Sequence, residues 1–156
     1  MAESTCRERF RGTQLRTSMD NPEGRFRLRL AEGFLSEASQ DVGSERWRSC
    51  VDNCQLATEN AAKAAAAVLG PVGRTHYPSS LLRLGLAEDR FPEPLRASVA
   101  RLAELAEILG ADLHAKSDYG DEATGRTPWE MFDEQDATAC FDWATEAVSL
   151  AVQILA

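Results

Sequence analysis

From Arg25 onward the apolar residues recur every three or four positions, the period of a helix with one buried face. Leu28, Ala31, Leu35 and Ala38 predict a first helix over about residues 25–41, stopping near Asp41-Val42-Gly43. Ser44 is a candidate N-cap for a long second helix, whose inner face carries Trp47, Val51, Cys54, Ala57 or Thr58, Ala61, Ala65 and Val68. Gly70-Pro71 ends it. Within it, "AAKAAAAVLG" places the strongest helix former at nearly every position and presents a flat, small-residue face suited to a packed centre or a dimer seam. "PSSLLRLGL" predicts a short helix with Pro78 in its first turn and Leu81, Leu82 and Leu84 turned inward. After Phe91-Pro92-Glu93-Pro94 a further helix is expected over about 95–115, with Leu95, Val99, Leu102, Ala106, Leu109 and Leu113 in its stripe. Lys116 to Phe132 has two glycines, a proline and no helical period, and reads as a loop lying over the bundle. The last helix opens on Asp133 as N-cap with Asp136 at N3, and buries Ala137, Cys140 or Phe141, Ala144, Ala147 or Val148, Ala151 and Leu155. No segment alternates as a strand does. The fold class expected is all-α, an up-and-down helical bundle of four main helices plus one short helix.

Composition narrows the setting. A chain of 156 residues with 44% hydrophobic and 27% charged residues fits one domain with a real core. Residues 1–24 are polar, Arg-rich and aperiodic and read as a flexible tail, leaving 25–156 for the bundle. An alternative start at Met19, just before the periodic region, would remove most of that tail. No apolar run approaches the ~20 residues that span a bilayer, so no membrane partner is expected. The net charge of −8 is uneven: residues 1–30 hold seven Arg against four acids, and residues 31–156 hold ten basic residues against twenty-one acids. An acidic body disfavours indiscriminate binding to a phosphate backbone. Cys6, Cys50, Cys54 and Cys140 form no CxxC pair, and no secretory leader precedes them, so a reduced, cytoplasmic protein is expected. Cys50 and Cys54 share a helix face at i and i+4, but a thiolate site needs four ligands and no further Cys or His stands at a suitable spacing. Neither a metal nor a cofactor is expected on these grounds.

Two constellations carry candidate chemistry. Glu59 and Lys63, at i and i+4 in the favourable order, are explained by a surface ion pair worth about 0.2–0.5 kcal/mol. Lys63 also sits among alanines, with Arg74 and His76 following in one loop; Arg offers a planar fork for phosphate and His titrates near neutrality. These residues could form an anion pocket, or Arg74 and His76 could cap the carbonyls ending the second helix. The other constellation is Asp118-Tyr119-Gly120-Asp121-Glu122 with Arg126 on the expected long loop. It reads either as an acidic turn or as a ligand-orienting loop with a stacking Tyr.

The order of these features resembles the HEPN domain (higher eukaryotes and prokaryotes nucleotide-binding). Trp47 opens a helix holding Glu59 and Lys63. The turn from Gly70 through Arg74-Thr75-His76 leads into Leu81-Leu82. Asp118-Tyr119-Gly120-Asp121 stands where relatives often have Arg-Tyr-Pro-Asp, and Asp136-Ala137 start the closing helix. The resemblance runs from about Arg27 to Leu155. It implies a homodimeric all-α bundle, often encoded beside a minimal nucleotidyltransferase in prokaryotes. Many relatives are metal-independent RNases of toxin–antitoxin pairs, with an Arg four to six intervening residues before a His. Here those positions hold Pro71, Gly70 and Leu69 before His76, and Leu109, Ile108 and Glu107 before His114.

Three functions follow as expectations. The first is a non-catalytic homodimer binding a nucleotide or phosphorylated ligand through Glu59, Lys63, Arg74 and His76, with Asp118, Tyr119 and Asp121 engaging base or sugar. The second is a divergent RNase in which Arg74 and His76 act on the scissile phosphate, with RNA as substrate. The third is an interaction module docking a basic partner through the Ala-rich helix and the acidic surface.

Overall fold

The computed structural model describes Leu15 and residues 20–156, so most of the expected tail, Met19 included, lies outside the described residues. Among the described residues the chain is all-α. The long helices are α1 (Pro22–Gly43), α2 (Trp47–Ala66), α4 (Glu93–Ile108) and α7 (Glu134–Leu155); α3 (Pro78–Ala87), α5 (Ala111–Tyr119) and the single turn α6 (Pro128–Met131) are short. No described helix is long and apolar enough to cross a membrane.

Helix α2 is the centre, packed by α1 and α7 along most of its length and by α3, α4 and α5 over parts of it. From Ala57 to Val68 every residue is buried, so this segment has no outer face. Alanine contributes to this: seven of these twelve residues are Ala, and their small side chains let neighbouring backbones approach closely. The Ala-rich stretch is therefore the packed centre of the bundle, and it is unavailable as a dimer seam or a docking face.

The start of α1 is locked to the end of α2. Asn21 accepts a hydrogen bond at 2.9 Å from the Gly24 N–H and donates its amide at 2.8 Å to the Ala67 carbonyl. One buried side chain thus caps two helices, and Pro22 at the first helical position fixes the entry. Asn21→Ala should cost about 1–2 kcal/mol, read as a lowered denaturation midpoint; no change would show the cap to be solvent-replaceable.

Several boundaries differ from the sequence expectation. Helix α1 begins at Pro22 rather than 25. Ser44 closes α1 instead of capping α2; Arg46 takes the N-cap position with no side-chain cap bond. In its place, buried Asp41 accepts from Arg46 at 2.8 Å and from Asn53 at 2.8 Å, clamping the α1–α2 turn. Leu82 is buried but Leu84 is 53% exposed, because α3 has only α2 and α4 to cover it. The helix expected over 95–115 breaks at Leu109-Gly110: Gly110 is extended (φ −93°, ψ −166°), and α5 restarts in a new direction across α2. Glycine inside a helix is disfavoured by about 1 kcal/mol, so the break comes where it costs least.

The region 116–132 is likewise not one loop. Helix α5 continues through Tyr119, a two-bond bridge joins Asp121 and Arg126, and α6 follows. Glu130 reaches back to accept from the Thr127 N–H at 2.8 Å and Oγ1 at 2.9 Å. These elements are set by local polar contacts, which leave no trace in an apolar period. The closing helix starts as expected, with Asp133 and Asp136 bonded reciprocally to each other's N–H at 3.0 and 3.1 Å.

Candidate functional site

Arg48, Asp52, Gln55, Glu59 and Lys63 are spaced four, three, four and four along α2, and so lie on one face of it. This polar stripe runs beneath α5 at its N-terminal end and beneath the α2–α3 loop at the other.

At the C-terminal end Lys63 Nζ donates to Glu59 Oε1 at 2.6 Å, and Gln55 Nε2 to Glu59 Oε2 at 3.1 Å. The spacing alone suggests a surface pair; instead Glu59 and Lys63 are both buried, which changes their energetics entirely. Burial pushes the Glu59 carboxyl upward, but the hydrogen bonds from Lys63 and Gln55, with the Lys63 charge, outweigh it and hold the carboxyl below its ordinary value. His76 lies above the pair, its Nδ1 at 3.6 Å from Glu59 Oε1, with 73% of its side chain in solvent.

The loop between α2 and α3 reaches this position through two glycines in the left-handed half of φ space, Gly70 (φ 145°) and Gly73 (φ 71°). Thr75 Oγ1 accepts from the Tyr77 N–H at 3.0 Å and closes the turn. Arg74 is exposed and makes no hydrogen bond or ion pair with any described residue. The carbonyls ending α2 are taken by others: Asn21 donates to Ala67 and Arg90 to Leu69 at 2.9 Å. Arg74 and His76 therefore do not cap the helix.

At the N-terminal end Arg48 donates to the Ser117 carbonyl at 2.6 Å and to Asp118 Oδ1 at 2.9 Å, and lies 5.8 Å from the centroid of the Trp129 ring. Ser117 Oγ donates to Asp52 Oδ1 at 3.1 Å. His114 stands between the two carboxylates, Nδ1 at 3.5 Å from Asp52 and Nε2 at 3.5 Å from Asp118. Arg48, Asp52 and Trp129 have no role among the sequence expectations, and His114 enters them only as a histidine without the upstream Arg. The signals available were the i,i+4 spacings Arg48/Asp52 and His114/Asp118, and the presence of the second histidine.

The two expected constellations do not share a pocket. Asp118 is bonded to Arg48, and Lys63 lies fifteen positions further along α2, about 22 Å at 1.5 Å per residue. Tyr119 is exposed beside Asp118. Asp121 works in its own turn, accepting from the Ala123 N–H at 3.0 Å; hydrogen bonds from Thr124 and Ala123 hold its carboxyl below the usual range.

The HEPN domain family model matches residues 25–155. No curated protein matches the chain. A solved structure, the crystal structure of TT1696 from Thermus thermophilus, is similar in fold: TM-score 0.63 at 20% identity, over 85% of this chain and 98% of that one. With a family match spanning nearly the whole bundle and an all-α fold built around the Glu59–Lys63 helix, the chain belongs to the HEPN domain family.

Proposed function

We propose that the protein is a HEPN homodimer that binds a nucleotide or another phosphorylated small ligand, without cleaving RNA, at the loop joining α2 and α3. The observation that carries this is the placing of His76, largely in solvent with its Nδ1 3.6 Å above a buried carboxylate that is itself neutralised by Lys63. With Nδ1 turned to Glu59, Nε2 faces outward. Arg74, unpaired among the described residues, supplies a fork for phosphate oxygens, and Tyr77, 64% exposed, supplies an aromatic face for a base. Lys63 acts by holding Glu59. The reading leaves out Asp118, bonded to Arg48 at the other end of the stripe, Tyr119 beside it, and Asp121 in its own turn.

The lack of cleavage is supported by the acidic body of the chain and by the absence of an Arg five to seven residues before either histidine. HEPN domains commonly dimerise. Leu84 and Ile108, exposed next to the Arg83–Glu107 pair that joins α3 to α4, offer an apolar seam. A nucleotidyltransferase-type partner in a toxin–antitoxin pair is the extension the family suggests, and copurification from the native host tests it.

Calorimetry with nucleoside mono- and diphosphates and inorganic phosphate is the direct experiment. The wild type should bind at least one of them, and Arg74→Ala/His76→Ala, which removes only surface groups, should bind at least tenfold more weakly, about 1.4 kcal/mol. Absence of binding across the panel overturns the reading. RNA cleavage that disappears in His76→Ala would replace it with the RNase function.

A further inference from the structure

We propose that Asp52 of α2 with His114 and Asp118 of α5 forms a binding site for a divalent transition-metal ion of the zinc, cobalt or manganese kind. This site lies outside the ligand reading above and does not depend on it.

The first support is the donor geometry. One imidazole nitrogen and one oxygen from each carboxylate all lie within 4.8 Å of one another. Around an ion with bonds of about 2.1 Å in a tetrahedral arrangement, two donors stand ~3.4 Å apart, so closure asks for side-chain movements of up to about an ångström. His114 and Asp118 are one turn apart on the same face of α5, and Asp52 meets them from α2, so the two helices together make the chelate.

The second support is independent of the carboxylates. His114 Nδ1 is shut off from solvent and makes no hydrogen bond with any described residue. Buried ring nitrogens nearly always have a partner. Its neighbour Asp52 Oδ1, at 3.5 Å, is too far to serve as one. A metal ion bonded to Nδ1 would give that nitrogen the partner it lacks.

The surroundings fit an ion as well. Arg48 approaches Asp118 Oδ1 at 2.9 Å and Asp52 Oδ2 at 4.0 Å, whereas the oxygens facing the imidazole are Asp118 Oδ2 and Asp52 Oδ1. The guanidinium therefore orients both carboxylates from outside and leaves one oxygen of each turned inward. Two aspartates against one arginine leave a net negative charge for the cation. A nitrogen donor with only two carboxylates suits imidazole-binding transition ions better than calcium or magnesium, which take six or more oxygens. Three protein ligands leave an open coordination position, and the His114 side chain, 39% exposed, gives access to it. The thiols of Cys50 and Cys54 are buried, with Cys50 bonded to the Ala137 carbonyl, and take no part.

The test uses the untagged full chain stripped with a chelator, titrated with Zn2+ by calorimetry and with Co2+ by visible absorption. One equivalent should bind per chain. His114→Ala and Asp118→Asn should each weaken binding at least tenfold while circular dichroism stays that of the wild type; Asp118→Asn keeps the size of a half-exposed side chain, so the fold is not at stake. Failure of the wild type to bind either ion, or binding that both variants retain in full, as cysteine ligation would give, overturns the proposal.

Discussion

Lys63→Ala should lower the unfolding free energy by about 3–5 kcal/mol, the cost of leaving the partner of a buried ion pair uncompensated. For a chain of this size that corresponds to a fall in Tm of roughly 6–20 °C. The expectation depends on burial: an exposed i,i+4 pair would give less than about 0.5 kcal/mol, and a loss that small would show that solvent reaches Glu59. Charge can be separated from packing by replacing both partners. Glu59→Leu combined with Lys63→Met removes the pair but keeps the volume, and should recover most of the lost stability. Acid supplies an orthogonal reading. The Glu59 carboxyl titrates lower in the folded protein than in the unfolded chain, so its stabilisation is complete above the unfolded value and fades as the pH falls through the folded one. The gap between wild type and Lys63→Ala should therefore narrow on acidification below the ordinary glutamate range, and urea titrations at stepped pH will read it. A gap independent of pH would mean that Lys63 stabilises through its stem alone.

Gly120→Ala should be about as damaging, at about 3–5 kcal/mol, for a reason that lies in the backbone. Gly120 sits at φ 73° and ψ −152°, a region essentially closed to residues with a Cβ, and an added Cβ would collide with the Arg126 carbonyl. The carbonyl cannot step aside without breaking the Asp121–Arg126 bridge, whose two bonds are 2.9 and 3.0 Å. Gly125 provides the control: its φ is 70°, but nothing stands within 4 Å of where its Cβ would be, so Gly125→Ala should cost only about 1–2 kcal/mol. Beyond stability, Gly120→Ala should release the segment from 121 to α6 and with it the Trp129 ring beside Arg48. Amide exchange should then rise across residues 118–131 while α1, α2 and α7 stay protected. Equal losses for the two alanine variants would remove the steric argument.

Helices α1, α4 and α7 are legible in the sequence because each buries one face. Leu28, Ala31, Leu35 and Ala38, or Ala137, Ala144, Ala147, Ala151 and Leu155, recur at the helical period, and they are the residues that lie against α2 or near it. Short elements carry no such stripe. Helices α5 and α6 are held by Gly110, by the bridge at Gly120 and by Glu130 reaching to Thr127, and a run without a period therefore read as a loop. Leu84 departs from expectation for a related reason: an apolar residue in a short helix is covered only if some other helix arrives there, and none does among the described residues.

The sequence by itself determined the helical class, the order of the long helices, the closing cap at Asp133 and the pairing of Glu59 with Lys63, because each depends on residues within two turns of one another. Tertiary structure alone decided that this pair is buried, that His76 rests on it, and that Arg74 is left unpaired while Asn21 and Arg90 take the carbonyls ending α2. It alone brought Asp52 to His114 and Asp118 across about sixty residues of chain. Burial and long-range apposition are set by which helices pack together and at what angle. Local spacing does not encode that when the second half of the central helix is rich in alanine and accepts neighbours on every side.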